Sequence, residues 1–224
     1  MARTCKVHNP IDICSEKSIN EASNSGGILT EPSDVDRSDF ALKISDGQGI
    51  KQEGTSRDDD NTTQQWQKDI EVTINTEYGL KDITLTVNKE IADEVESIFK
   101  EILENENTKN FIFKKITGKE STWGSYKKNS YIAGYRHSDV TKADGTIVNS
   151  WHCYGIAVDI NAKHNPHSPA HSKSCPICGG NVEDDNIHIR TVNHPIVQVF
   201  YNHGWTWGGV WKTPDYMHFC AKKG

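Results

Sequence analysis

Two short segments near the C-terminal end of the chain carry side chains that could bind a metal ion. His152 and Asp159 lie seven residues apart, and His218 lies close to the end of the sequence. Imidazole nitrogens and carboxylate oxygens are ordinary zinc ligands, and three protein ligands leave a fourth position for water, as in catalytic zinc sites. Zinc lowers the pKa of such a water and polarises a bound carbonyl group. The three residues therefore predict a hydrolytic zinc centre.

The spacing of the first two ligands predicts how the backbone runs between them. Side chains seven positions apart cannot face the same way along a regular strand, because successive side chains alternate. Gly155 is the obvious place for a turn. After that turn, Asp159 would lie in an apolar strand, where a buried carboxylate needs a partner such as a cation.

Hydrolysis also needs a general base, and Asp215, three residues before His218, has the right chemistry. The segments around these residues together resemble a known peptidase family. Residues 150–159 read S-x-H-x-x-G-x-A-x-D, residues 207–211 read W-G-G-x-W, and residues 215–219 read D-x-x-H-F. In this order the motifs resemble the M15 metallopeptidases, which include D-Ala-D-Ala carboxypeptidases and the L-alanyl-D-glutamate endopeptidases of phage lysins and bacterial wall enzymes. The resemblance covers residues 131–219.

The resemblance implies zinc on His152, Asp159 and His218, with Asp215 as the general base. It also implies that Arg136 stabilises the carbonyl oxygen as it becomes an oxyanion, a role that suits a fixed cation. The implied substrate is the stem peptide of bacterial peptidoglycan. Endopeptidase and carboxypeptidase activity both remain open, and the alternative is a non-catalytic, zinc-containing binding module of the same fold.

A Cys- and His-rich insert at about residues 163–190 departs from the family pattern. Cys175-Pro-x-Cys178-Gly is typical of a zinc knuckle, in which a turn brings two thiolates to one ion. The insert predicts a second, structural zinc site, and a redox pair or a local disulfide is the alternative. Two further ligands are needed: His167 and His171 are nearest, and His164 and His188 are also available.

Two other cysteines, Cys153 and Cys220, each lie next to a predicted zinc ligand. If both flanks were regular strands, Cys220 would share the face of His218, whereas Cys153 would lie opposite His152. This parity argues against a bond between the two cysteines and predicts that both are thiols.

Apolar periodicity predicts the elements that position these residues. The fold class is α+β, a small antiparallel sheet with flanking helices around a single catalytic zinc, similar to Hedgehog and DD-peptidase domains. Period-two patterns predict a hairpin, and helical spacing from Ile91 to Leu103 predicts a helix with Asn88 as N-cap. The other predictions are strands at residues 111–116, 131–136, 155–160 and 216–221, and a helix at 194–202 that stops at Gly204.

Composition divides the chain in two. Residues 1–65 carry 12 acidic and 7 basic side chains and one aromatic, which predicts a flexible leader or linker, whereas residues 66–224 form the peptidase domain.

The net charge of -6 argues against a nucleic-acid partner, and no apolar run is long enough to span a membrane. Residues 1–10 lack the apolar core of a signal peptide. We therefore expect synthesis in the cytoplasm and action at the cell wall after release, or a virion-associated protein.

Overall fold

The structure is a computed structural model that describes residues 67–116, 128–136, 139–141, 147–167, 183–211 and 214–221. Strands and helices follow each other in mixed order, and the strands form small antiparallel sheets. This confirms the α+β class. The predicted leader at residues 1–65 and the central part of the insert lie outside the described residues, so the division into two regions stays a prediction.

The first described unit is a hairpin with a helix packed against it. Strand β1 (Gln67–Thr76) pairs along its whole length with β2 (Gly79–Asn88), and Gly79 turns the chain with a positive φ of 100°. The Asn88 side chain accepts the N–H of Glu90 and so caps a 3₁₀ turn that leads into helix α1 (Ala92–Glu104). The predicted hairpin, helix and cap are all confirmed.

The second unit is a four-stranded antiparallel sheet in the order β3-β6-β8-β7. Its central strands, β6 (Ala157–Ile160) and β8 (His218–Cys220), are flanked by β3 (Ile132–Ala133) and β7 (Thr206–Trp207). A separate hairpin consists of β4 (Asp139–Thr141) and β5 (Ile147–Asn149). Helix α2 (Pro195–Asn202) precedes β7 and ends before Gly204, which has a positive φ of 75°, as predicted.

One hydrophobic core joins the hairpin, both helices and the sheet. Phe200 of α2 stacks on Phe219 of β8, with ring centroids 4.2 Å apart. Trp205 is fully buried, and its indole N–H donates to Glu94 of α1 at 3.1 Å. The core therefore packs β8, which carries the last predicted zinc ligand, against α2.

The structure corrects several predicted strands. Residues 111–116 form no strand; apart from one bridge between Phe113 and Thr76, this segment is irregular. Its backbone bonds to several separate segments: the N–H groups of Ile112 and Phe113 donate to the carbonyls of Asn186 and Asn75. The Asn161 side chain accepts the N–H of Lys114 and donates to the carbonyl of Ile112. The strands predicted at 131–136, 155–160 and 216–221 exist but are only two to four residues long.

Helix lengths also bear on a membrane location. Among the described residues, no helix has the length and apolar character that crossing a bilayer requires.

Candidate metal centre

His152 is positioned by a 3₁₀ turn, Trp151–Tyr154, that comes just before β6. The Ser150 side chain caps this turn by accepting the N–H of His152 at 3.3 Å. Gly155 ends it with a left-handed φ of 66°, a conformation that glycine adopts without steric cost. The turn predicted at Gly155 is confirmed, and it reverses the chain so that His152 faces the strand that follows.

The other two predicted ligands are placed by strand register. Asp159 of β6 lies directly opposite His218 of β8 in an antiparallel pair. Residues that oppose each other in this way project from the same face of a sheet with their Cβ atoms close together. The pairing therefore brings together a carboxylate and an imidazole that are far apart in the sequence.

Three ligand atoms converge at this point. His152 Nε2 lies 3.0 Å from Asp159 Oδ1 and 3.2 Å from His218 Nδ1, and the last two atoms are 3.1 Å apart. Tetrahedral zinc with bonds of about 2.0–2.2 Å separates neighbouring ligand atoms by about 3.3 Å. All three side chains are buried, and among the described residues they form the one cluster of three or more such groups that could hold a metal ion. The triangle fits zinc.

Neighbouring groups orient these ligands. His152 Nδ1 lies 2.8 Å from the carbonyl oxygen of Gly134, which can only accept, so Nδ1 carries the proton and Nε2 presents its lone pair to the centre. Arg136 Nη2 lies 3.4 Å from Asp159 Oδ2, whereas both histidines contact the other carboxylate oxygen, Oδ1. The structure thus places Arg136 at the centre, beside one of the predicted ligands.

The electrostatics of the centre suit cation binding. Burial on its own raises the pKa of Asp159, but the nearby His152, His218 and Arg136 hold that pKa well below its ordinary value. Burial lowers the pKa of His152 and outweighs the opposing effect of Asp159. An ionised carboxylate and a neutral imidazole are the forms that bind metal ions.

Asp215 lies beside the ligand His218 and is held by backbone contacts. Its N–H donates to the carbonyl of Gly208 at 2.9 Å, and its own carbonyl accepts the N–H of His218 at 3.2 Å. Gly208 leaves no room for a side chain, since an added Cβ would lie 2.6 Å from the Asp215 carbonyl oxygen and 3.3 Å from His218 Cβ. Position 208 therefore requires a glycine, because the segment that carries Asp215 and His218 passes too close to it for a side chain.

Replacing Gly208 by alanine should displace Asp215 and His218 together. The contact at 2.6 Å is with backbone, which cannot move aside as a flexible side chain can. A displacement of about 1 Å can cost about 10²-fold in rate, so we expect a loss of that order in kcat/KM together with weaker zinc binding.

Gly79→Ala is the matched control for this variant. Gly79 has open space around it and lies at the tip of the β1–β2 hairpin, so the strain at its positive φ should lower the melting temperature and leave kcat/KM unchanged. Equal kcat/KM values in the Gly208→Ala variant and the wild type would contradict this role of Gly208.

The tryptophans of the W-G-G-x-W motif mainly pack. Trp207 is 1 % exposed, and its indole N–H donates to the carbonyl of Tyr216 at 3.0 Å. Trp211 is 7 % exposed, and its ring centroid lies 5.2 Å from that of the His218 imidazole. Trp205 and Trp207 therefore belong to the core, and Trp211 supports a ligand.

The second, structural zinc site stays a prediction. Three of its proposed ligands, Cys175, Cys178 and His171, lie outside the described residues. The fourth, His167, forms an isolated antiparallel bridge with Asp215. The two further histidines that could serve as ligands, His164 and His188, are neighbours, with ring centroids 5.4 Å apart.

The prediction that Cys153 and Cys220 are both thiols is half wrong. Cys153 is a buried thiol, whereas Cys220 takes part in a disulfide bond. The parity argument compared these two cysteines only with each other, and they are indeed not bonded to each other. It could not foresee that Cys220 would form a disulfide bond of its own.

Several other residues that build the site were assigned no structural role from the sequence. The Gly134 carbonyl is a backbone group and leaves no signal of its own in the sequence. Asn161 adopts a left-handed φ of 51°, and Asn165 is fully buried. Both hold the segment that follows β6 through side-chain bonds to the Ile187 carbonyl. Asparagine tolerates a left-handed backbone and forms hydrogen bonds with nearby backbone groups, so the two asparagines after β6 were the available signal of an ordered turn.

Comparison with known proteins agrees with the geometry. Residues 143–221 match an M15 peptidase family model described as D-alanyl-D-alanine carboxypeptidase. No curated protein and no solved structure shows significant similarity to the chain. The match confirms the resemblance found in the motifs, and it includes the three ligand residues and Asp215 but begins after Arg136.

Proposed function

We propose that this chain, an M15-type peptidase over residues 143–221, hydrolyses peptide bonds in the stem peptides of bacterial peptidoglycan with zinc held by His152, Asp159 and His218. The family match supports peptide hydrolysis on cell-wall related substrates. The observation that carries the proposal is the buried triangle of two imidazole nitrogens and a carboxylate oxygen, 3.0–3.2 Å apart, within the matched residues. For the fold, we propose the zinc-peptidase type shared by Hedgehog and DD-peptidase domains.

Asp215 is the proton carrier of the reaction. Zinc, when bound, polarises the scissile carbonyl and makes a water molecule acidic enough to attack near neutral pH. The Asp215 carboxylate accepts the proton of the attacking water and then delivers it to the amine that leaves. Its 3 % exposure keeps bulk water away from this transfer, and its backbone contact with His218 fixes its distance from the ligands.

Arg136 supplies positive charge where negative charge develops. The scissile carbonyl oxygen becomes an oxyanion in the tetrahedral transition state, and preorganised charge in a site that excludes water stabilises it strongly. The Arg136 side chain is 14 % exposed, and its guanidinium is fixed next to Asp159. Because this group contacts a ligand as well, Arg136 also helps to orient Asp159.

Defined stem peptides test the proposal and decide which bond is cut. A carboxypeptidase removes the terminal D-alanine from a pentapeptide ending in D-Ala-D-Ala, whereas an endopeptidase cuts an internal bond and also accepts a shortened tetrapeptide. We expect hydrolysis of at least one of the two peptides by zinc-loaded protein, measured as new amino groups. Hydrolysis of neither, by protein with one zinc shown at the centre, would contradict the proposal.

The route by which the enzyme meets the wall is part of the proposal. We propose action after release from the cytoplasm, as a phage lysin, or as part of a virion. Residues 1–65 serve as a linker in this proposal, and no nucleic acid takes part.

A further inference from the structure

The Arg190 side chain is held in place by three hydrogen-bond acceptors. Its Nη1 donates to the side-chain oxygen of Asn165 at 2.8 Å and to the carbonyl of Ile189 at 3.0 Å. Its Nη2 donates to the carbonyl of His164. Asn165 is fully buried and donates to the carbonyl of Ile160, the last residue of β6. The guanidinium is therefore tied to the strand that carries the predicted ligand of the metal.

The same guanidinium packs over the ring of Tyr216, the residue that follows the proposed general base. Its central carbon lies 5.0 Å from the ring centroid, which is within the range of a cation–π contact. Trp207 contacts Tyr216 as well: its indole N–H donates to the Tyr216 carbonyl at 3.0 Å, and the two ring centroids are 5.9 Å apart. Tyr216 is thus held by both Arg190 and a core tryptophan.

Arg190 joins two segments whose backbones meet at an isolated antiparallel bridge between His167 and Asp215. Asn165 lies two residues before one end of this bridge, and Tyr216 directly follows the other end. A single bridge restrains two segments less than a continuous ladder does, such as the one that pairs β1 and β2 along their whole length. A side chain that contacts both segments therefore has more effect here than it would within a ladder.

We propose that Arg190 is a positioning residue for Asp215. By stacking on Tyr216 while it is bound to Asn165, its guanidinium holds the backbone of the base in place beside the ligand His218. The inference rests on the proposed role of Asp215, because a base must lie within hydrogen-bond reach of the proton that it takes. Arginine suits this task, since its planar guanidinium donates hydrogen bonds from its edge and stacks on an aromatic ring with its face.

Kinetics of the zinc-loaded protein on the stem peptide that the wild type hydrolyses test this role. Arg190→Ala should lower kcat by about 10- to 100-fold, the upper value being the cost of a displacement of about 1 Å. KM and zinc content should equal those of the wild type, because all three ligands remain. Arg190→Lys should restore little of the rate, since one ammonium group cannot bind these acceptors and stack on the ring together. Tyr216→Phe keeps the ring and should retain most of the rate.

Two double-mutant cycles separate positioning from a general loss of stability, with all rates measured at a temperature at which each variant is folded by circular dichroism. Tyr216→Leu should cost about as much in kcat as Arg190→Ala, and the double variant no more than either, because both remove the same contact. In the Asp215→Ala background, Arg190→Ala should have no further effect, since no base remains to be positioned. Lys128→Ala is the control: it removes a cation paired with Asp69 of β1 and should leave kcat unchanged.

A wild-type kcat in folded Arg190→Ala, or a loss by the same factor with and without Asp215, would overturn the inference. If Arg190→Ala does not fold, Tyr216→Leu carries the test, and a wild-type kcat in that variant would overturn the inference equally. A loss as large in Lys128→Ala would also do so. If the wild type is inactive with its zinc in place, the proposed function fails; if the wild type is active and only the cycles fail, that function stands.

Discussion

Replacing His218 by alanine should remove zinc and peptidase activity together. His218 Nδ1 is one of three ligand atoms, and the two that remain, His152 Nε2 and Asp159 Oδ1, cannot complete a three-ligand site. Substituting even a group that only supports a ligand weakens metal binding by about 10- to 100-fold, and we expect a larger loss for a ligand itself. Metal analysis after gel filtration should show one zinc equivalent fewer than in the wild type.

Thermal unfolding provides a second measurement of the same loss. A metal that binds only the folded state raises its stability with the logarithm of the free metal concentration. The melting temperature of the wild type should rise as zinc is added back to the metal-free protein, and that of His218→Ala should not. Cys153→Ala is the matched control, since Cys153 is buried, follows the ligand His152 and is no ligand itself. Unchanged zinc content in His218→Ala would contradict the site.

Asp215→Ala should separate metal binding from catalysis. The variant keeps all three ligands, so its zinc content should equal that of the wild type. Its kcat should fall by about 10²- to 10⁴-fold, the usual contribution of general acid–base catalysis. KM should change little, because Asp215 acts on the proton of the attacking water rather than on the bound peptide.

The outcome for Asp215 also distinguishes an enzyme from a binding module of the same fold. A binding module would hold stem peptides equally well with and without the Asp215 carboxylate and would hydrolyse them in neither case. Asp215→Asn is the companion variant, as it keeps the size of the side chain beside Gly208 and removes only the basic oxygen. A kcat near the wild-type value in both variants would contradict the role of Asp215.

Local sequence patterns predicted the hairpin and both helices well. The alternation of apolar residues in β1 and β2 and the helical spacing in α1 depend on burial of one face, which neighbouring residues report directly. The one predicted cap was equally legible, since Asn88 accepts a backbone N–H at the start of a helical segment. Such signals are contained within a few residues and need no knowledge of the tertiary fold.

The geometry of the centre was only partly readable from the sequence. The odd spacing of His152 and Asp159 predicted the turn at Gly155, because that argument is local. The register that sets Asp159 opposite His218 joins strands 59 residues apart, and no local pattern specifies it. The bridge that sets His167 opposite Asp215 is a similar distant pairing, and no local pattern specifies it either.

The incorrect strand at residues 111–116 shows how tertiary contacts override propensity. Its aromatic and β-branched residues favour a strand, and Phe111 and Phe113 are indeed buried. Their burial comes from packing against each other and against α1, with the Phe111 and Phe113 ring centroids 5.2 Å apart. The buried Asn161 binds backbone groups that a neighbouring strand would otherwise pair.

The central claim is that this chain cleaves peptidoglycan stem peptides with zinc at His152, Asp159 and His218. Its most direct test is mass spectrometry of purified peptidoglycan digested with the protein, with and without a chelator. We predict new stem-peptide termini that disappear on chelation and return when zinc is added. Cleavage that persists in protein shown to be metal-free, or no cleavage of several wall types by protein that holds its zinc, would contradict the claim.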